Sequence, residues 1–111
     1  MLESVFQSKL IKELKDIFVG CIILKNDANY IQGFPDLLIL FNDKWAVLEC
    51  KRSSEASYQP NQEYYLEMLG NMSYASVIYP EIKKDVIHEL QQAFASRRPS
   101  RISQRKQASL G

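Results

Sequence analysis

The chain has 111 residues, 46% of them hydrophobic and 11% aromatic, with 14 bases, 13 acids and a formal net charge of +1. A chain of this length buries roughly two-thirds of its unfolded surface and forms one domain without disulfide or metal staples, and its apolar runs fall well short of the roughly 20 residues that span a bilayer. The mild overall charge does not argue for nucleic-acid binding by itself, yet it is unevenly spread: residues 97–111 hold five bases and no acid, leaving nine bases against thirteen acids on the first 96.

In chain order, MLESVFQSKLIKELKDIF places Leu2, Phe6, Leu10, Leu14, Ile17 and Phe18 at spacings of three and four, which predicts a helix ending near Gly20. Its interspersed acids distinguish it from a signal peptide or a typical transit peptide, so a cytoplasmic protein is the default. GCIILKND predicts a short strand and ANYIQG a polar loop. FPDLLILF and KWAVLECK predict two more strands joined at Asn42-Asp43. SSEASYQPNQEYYLEMLGNM opens as a loop, turns helical near Pro60, which suits a first-turn position, and stops around Gly70. YASVIYP predicts a fourth strand closed by Pro80, and EIKKDVIHELQQAF a last helix with Ile82, Val86, Leu90 and Phe94 on one face. The tail RRPSRISQRKQASLG has almost nothing to bury and is expected to be disordered; contact with phosphates, a solubilising role and a remnant of cloning all stay open for it.

The predicted order is α-β-β-β-α-β-α over residues 1–96, an α/β fold. Strands apolar on both faces, as LLILF is, need cover on both sides, so helices are expected to flank a central four-stranded sheet. The second and third strands form a hairpin and the fourth returns over a helix, which makes the sheet mixed. Cys21 and Cys50 sit in apolar strand contexts and read as free packed thiols, without the CxxC or Cys/His spacing of a zinc site. His88 reads as a solvated surface residue.

With Asn42-Asp43 as a two-residue loop, paired residue numbers across the hairpin sum to 85, and Asp36 falls opposite Glu49. Their side chains then share one face, with Cβ atoms roughly 4.5–5.5 Å apart, and the pleat turns Lys51 to that face too. Like charges so placed need a compensating cation. Lys51 supplies one, giving a plain edge salt-bridge cluster; paired carboxylates are equally the oxygen ligands that Mg²⁺ takes. A divalent ion held there would polarise a phosphate oxygen and lower the pKa of a water, while the lysine steadies transition-state charge. Strong acids, one cation and no histidine or serine nucleophile suit metal-assisted phosphodiester hydrolysis better than acyl transfer.

Pro35-Asp36 followed by Glu49-Cys50-Lys51 resembles the signature of the PD-(D/E)XK nuclease superfamily, whose α-β-β-β-α-β core matches the predicted order. A first helix carrying Glu3, the GFPD and ECKR stretches, and a following helix with Gln62 resemble its small virus-type replication-repair nuclease (VRR-NUC) group; the resemblance spans residues 1 to about 80. It implies a restriction-endonuclease-like core with Asp36 and Glu49 as ligands of Mg²⁺, for which Mn²⁺ should substitute. It also implies the Leu48 main-chain carbonyl in the metal shell and Lys51 as the catalytic lysine. Glu3 resembles the first-helix acid of the group and a possible further ligand, although an acid there also suits the helix dipole. Glu13 lies roughly 80° around the helix from Glu3 and fits less well. Gln62 shares a helical face with Leu66 and Leu69, so it points inward, where it needs a hydrogen-bond partner. Some relatives carry tyrosine four residues after this glutamine; here Leu66 stands there, and Tyr65 reads as core.

The resemblance implies a DNA endonuclease, phage- or mobile-element-encoded and acting in a bacterial cytoplasm. With little surface for a duplex and no flanking DNA-binding module, it is expected to dimerise with itself and to select branched structures such as Holliday junctions or flaps. Lys9, Lys12 and Lys15, at every third residue of the first helix, and Arg52 are candidates for backbone phosphate contact. No membrane partner or nucleotide cofactor is expected. A restriction-type or homing endonuclease, a catalytically silent nucleic-acid-binding module, and an α/β interaction protein with an edge salt-bridge cluster are the alternatives. RNA as a substrate stays open.

Overall fold

The apolar row Phe6, Leu10, Leu14 and Phe18 recurs every fourth residue, and it folds as predicted: helix α1 spans Glu3–Ile17 and buries that row. The computed structural model describes residues 2–96; Met1 and the basic stretch 97–111, with the disorder expected of it, lie outside them. Leu2 and Ile17, expected on the buried stripe, are instead 70% and 38% exposed. Leu2 is the N-cap, ahead of the first helical turn, and Phe18 takes the place in the packed row that Ile17 would have filled.

Strands β1 (Ile22–Lys25), β2 (Leu37–Phe41) and β3 (Lys44–Cys50) form an antiparallel meander. After helix α2 (Gln62–Met72), strand β4 (Tyr74–Ile78) returns parallel to β3, giving a mixed sheet in the order β1-β2-β3-β4. A 3-10 turn at Pro80–Ile82 leads into helix α3, Lys83–Ala95. The α/β class, the element order and the mixed four-stranded sheet flanked by helices are therefore as expected. The second helix starts later than Pro60 suggested: Asn61 precedes it as N-cap with φ 71°, and the helix runs two residues past Gly70.

The side-chain alternation of the strands divides the protein into two layers. Leu37 and Ile39 of β2, Ala46, Leu48 and Cys50 of β3, and Ile78 of β4 face α1 and α3, where Phe6, Leu10, Leu14, Val86, Leu90 and Phe94 complete one core. Phe18 and Phe41 join Phe94 there, with ring centroids 5.1–5.5 Å apart in edge-on arrangements. The opposite face carries Leu38, Leu40, Trp45, Val47 and Glu49. It is covered at the β3–β4 end by α2, whose Gly70 lies close to Ala75. Cover on both faces was expected, but Ile22 and Leu24 on β1 stay 56% and 50% exposed, and Leu38 and Leu40 beside them are half-buried. The reason is dimensional: a helix about 10 Å wide spans roughly two strands at about 4.8 Å spacing, and only α2 lies on this side.

The segment between β1 and β2 is tied down from both ends. The Asn26 N–H donates to the Asp36 carbonyl at 2.8 Å, and its side-chain amide donates to the Ile31 and Phe34 carbonyls at 3.3 and 3.4 Å. Gly33 then presses against the start of α2. Its φ is +88°, and a Cβ there would stand 2.7 Å from both Asn61 Cβ and the Pro60 carbonyl oxygen. Phe34 seals the contact against Tyr65, centroids 5.5 Å apart, although Tyr65, read as core, is only half-buried at the edge of α2. Gly33→Ala therefore combines a disfavoured dihedral with a backbone clash and is expected to cost about 2 kcal/mol or more of stability, read as a lowered midpoint in urea denaturation.

Candidate active site

The two-residue turn at Asn42-Asp43 sets the hairpin register. Of the pair, Asn42 takes the positive φ, 56°, and the ladder pairs Phe41 with Lys44 through Leu37 with Leu48, as expected. One residue further, Asp36 arrives beside Glu49 and its Oδ2 accepts the Cys50 N–H at 2.8 Å. The backbone bond that would extend the ladder is thus replaced by a carboxylate, which fixes the acid at the end of β3. The buried Cys50 thiol, pushed up to about 12 chiefly by burial, stays protonated and inert.

Glu49 is only 2% exposed. Its Oε2 accepts from Gln62 Nε2 at 2.8 Å and lies 3.7 Å from the Lys51 ammonium; its Oε1 is buried without any hydrogen-bond partner. Burial first and the neighbouring Asp36 charge second push the Glu49 carboxyl up to about 8. Asp36 is raised as well, mainly by burial, against the opposing pull of the Cys50 N–H.

Lys51 is 6% exposed and held by several partners. Its Nζ donates to Gln62 Oε1 at 2.7 Å and to the Ser57 carbonyl at 3.0 Å, and it sits over the Tyr58 ring, 5.1 Å from the centroid. Gln62 occupies the first position of α2 and joins the acid to the base: its amide donates to Glu49, while its oxygen accepts from Lys51 and from the Gln59 N–H at 2.7 Å. The reverse orientation would set amide hydrogens against an ammonium, so the neighbours fix this one. The inward position read from Leu66 and Leu69 thus brings Gln62 to both neighbours. Ser57, Tyr58 and Gln59 were not singled out from sequence; two of them act through main-chain atoms, which leave no mark in residue identity.

Glu3, Asp36, Glu49, Lys51, Arg52 and Gln62 line one cleft of about 440 Å³. Glu3, in the first turn of α1, is close enough for the Asp36 charge to add to burial in raising its carboxyl, while Lys51 and Arg52 oppose. Among the described residues no three His, Cys, Asp or Glu side chains are arranged to hold a metal ion. The donor set nonetheless fits a hard cation: Mg²⁺ commonly takes one or two carboxylates and keeps several waters, and the orphaned Glu49 Oε1 is an oxygen ligand without a competing donor. Leu48 buries its side chain in the opposite layer, so only its main chain could serve. Lys9, Lys12 and Lys15 are exposed on α1 away from the cleft lining, whereas Arg52 is part of it. Glu13 pairs with Lys83 of α3 at 3.1 Å, a half-exposed bridge that adds little, and His88 is exposed, as expected.

Without metal, Glu49 makes stability depend on pH. The unfolded chain ionises this group above about 4.5, whereas the folded chain keeps it protonated until about 8. Unfolding therefore releases a proton in that window, so the contribution present below pH 4.5 is lost as pH rises towards 8 and levels off beyond. Denaturation in EDTA across this range is expected to show that decline, and Glu49→Gln to flatten it.

No family model, curated protein or solved structure matches the chain, so its functional reading rests on the chemistry of this cleft.

Proposed function

We propose that the chain is a Mg²⁺-dependent endonuclease with a restriction-endonuclease-like PD-(D/E)XK core, hydrolysing phosphodiester bonds in branched DNA. The observation that carries this reading is the Glu49 carboxylate, buried with one oxygen unpartnered next to a second acid and an immobilised lysine. While neutral, Glu49 can turn its O–H towards Asp36, but once ionised its Oε1 is left beside a second acid with no donor, and a cation would supply the missing partner.

Asp36 and Glu49 would hold the cation, with the Leu48 carbonyl contributing from the main chain. Bound there, Mg²⁺ supplies Lewis-acid polarisation of a phosphate oxygen and lowers the pKa of a coordinated water. Lys51 presents a fixed positive charge to the phosphate in its transition state, and Gln62 with the Ser57 carbonyl prevents it from collapsing onto Glu49. Arg52, exposed on the cleft wall, binds the neighbouring phosphate. Glu3 adds negative charge at the cleft mouth and favours occupancy by a cation.

Cleavage is expected with Mg²⁺ or Mn²⁺ and not in EDTA, measured on labelled single-stranded, duplex, flap, splayed-arm and four-way-junction DNAs. Asp36→Asn should abolish it. Lys51→Met should lower it by about 100-fold or more with cation binding retained, and Gln62→Ala should weaken cation affinity by about 10–100-fold. A folded protein that neither cuts nor binds cation would overturn the reading. Preferential cutting of long unbranched duplex at fixed sites would instead identify a restriction-type or homing enzyme.

A homodimer belongs to the same proposal, supported by the uncovered strip of Ile22, Leu24, Leu38 and Leu40. Sedimentation equilibrium should give twice the chain mass for the wild type and a monomer for Leu24→Glu.

A further inference from the structure

Beside the carboxylate cleft lies a second open groove of about 480 Å³, lined by Tyr58, Gln59, Pro60, Asn61, Glu63 and Tyr64. The two adjoin, since Gln59 lines both and Tyr58 lies under the Lys51 ammonium. Tyr58 and Tyr64 remain 44% and 61% exposed, although each has an apolar ring large enough to reward burial. Tyr64 is braced edge-on against Tyr65, centroids 5.2 Å apart, and Tyr65 in turn against Phe34. Tyr58 is held by Lys51. Each ring thus has a neighbour at contact distance on one side and is open to solvent on the other.

The charges of the two hollows differ in a way that selects their contents. The carboxylate cleft holds Lys51 and Arg52, cations suited to phosphate. The tyrosine groove is lined by no lysine or arginine and includes Glu63, which repels phosphate; it offers instead aromatic rings, a proline and the amides of Gln59 and Asn61. An uncharged flat heterocycle with hydrogen-bonding edges matches that lining.

We propose that this groove is a stacking subsite for an unpaired nucleobase, adjacent to the phosphate held in the cleft. Tyr64 and Tyr58 supply the rings, and Gln59 and Asn61 the amides that meet the base edge. The proposal rests on the nuclease reading for its neighbour and deepens it. A base inside a duplex is stacked and paired and cannot enter, so the strand must be unpaired next to the phosphate to be cut. This gives a physical origin for preference for flaps, splayed arms and junctions that needs no sequence-reading module.

The test is binding in EDTA, where hydrolysis does not interfere, measured by fluorescence anisotropy of a labelled 15-nucleotide thymidine strand, the corresponding uridine strand, a matched duplex and an abasic strand of equal length. Tyr64→Ala and Tyr58→Ala are each expected to weaken binding of both base-bearing strands by roughly 5- to 150-fold, as loss of one stacked base does. Binding of the abasic strand should not change in Tyr64→Ala, whose ring does not touch Lys51, and Tyr64→Phe should bind as the wild type does, since it keeps the ring and the fold. Unchanged affinity for the base-bearing strands in both alanine variants, or an equal loss on the abasic strand in Tyr64→Ala, would overturn the proposal. Because binding is read without cleavage, the two readings fail separately. Stacking losses in a protein that cuts nothing would leave the subsite standing and remove the nuclease; metal-dependent cutting with alanine variants that bind normally would do the reverse.

Discussion

The fold turns on one amide. Gln62 joins the start of α2 to the end of β3 by donating to Glu49 and accepting from Lys51, so it is the hinge between the sheet and the helix that covers its second face. Without that link, a buried carboxylate and a buried ammonium would meet directly, and a close ion pair is what their charges favour. Gln62 bonds to both, which lie 3.7 Å apart, and fills one donor site of the lysine, while Glu49 Oε1 stays buried without a hydrogen-bond partner. The cost is visible in the raised Glu49 carboxyl, which a metal-free fold keeps neutral near physiological pH. A cation would reverse that balance and turn the least favourable group of the fold into a ligand.

Several distant features serve this contact. The position of α2 depends on Gly33, whose missing side chain lets the segment after β1 lie directly against Pro60 and Asn61. Asn61 takes the left-handed conformation that aims the first helical residue at the sheet. On the other side, the Asn42-Asp43 turn fixes which residue of β2 reaches the end of β3, and a one-residue slip would turn Asp36 into the opposite layer. Glycine, asparagine and a tight turn, none of them lining the carboxylate cleft, thus set the relative positions of two acids and a lysine.

How much of this the sequence carried depended on whether side chains or backbone did the work. The strand register was legible because a two-residue loop leaves no freedom once its ends are known, and the row Phe6, Leu10, Leu14 and Phe18 because helical phase follows from spacing. The inward turn of Gln62 was legible for the same reason. The Ser57 carbonyl that steadies Lys51 and the Cys50 N–H that captures Asp36 were not, since every residue type offers those atoms. The start of α2 was misjudged because Pro60 is an ordinary helix opener, while the left-handed turn at Asn61 is imposed by the packing of Gly33. The half-covered sheet face was misjudged because apolar strands report burial only where a covering element exists, and a single helix on that side reaches β3 and β4 alone.

The uncovered end of that face and the tyrosine groove raise one physical question, since both expose apolar surface that a small protein could have buried. They differ in surroundings. Ile22 and Leu24 lie on an edge strand, where a second copy of the same apolar strip could cover them. Tyr58 and Tyr64 border a hollow, with Tyr65 beside Tyr64 and the Lys51 ammonium over Tyr58. Contacts that restrain a ring left exposed cost rotational freedom without the full gain of burial, so they contribute little to folding alone. Pre-set rings favour binding instead, because the ordering has been done before the ligand arrives. Tyr58 also lies under the Lys51 ammonium, so the groove and the Lys51–Gln62–Glu49 chain share one ring.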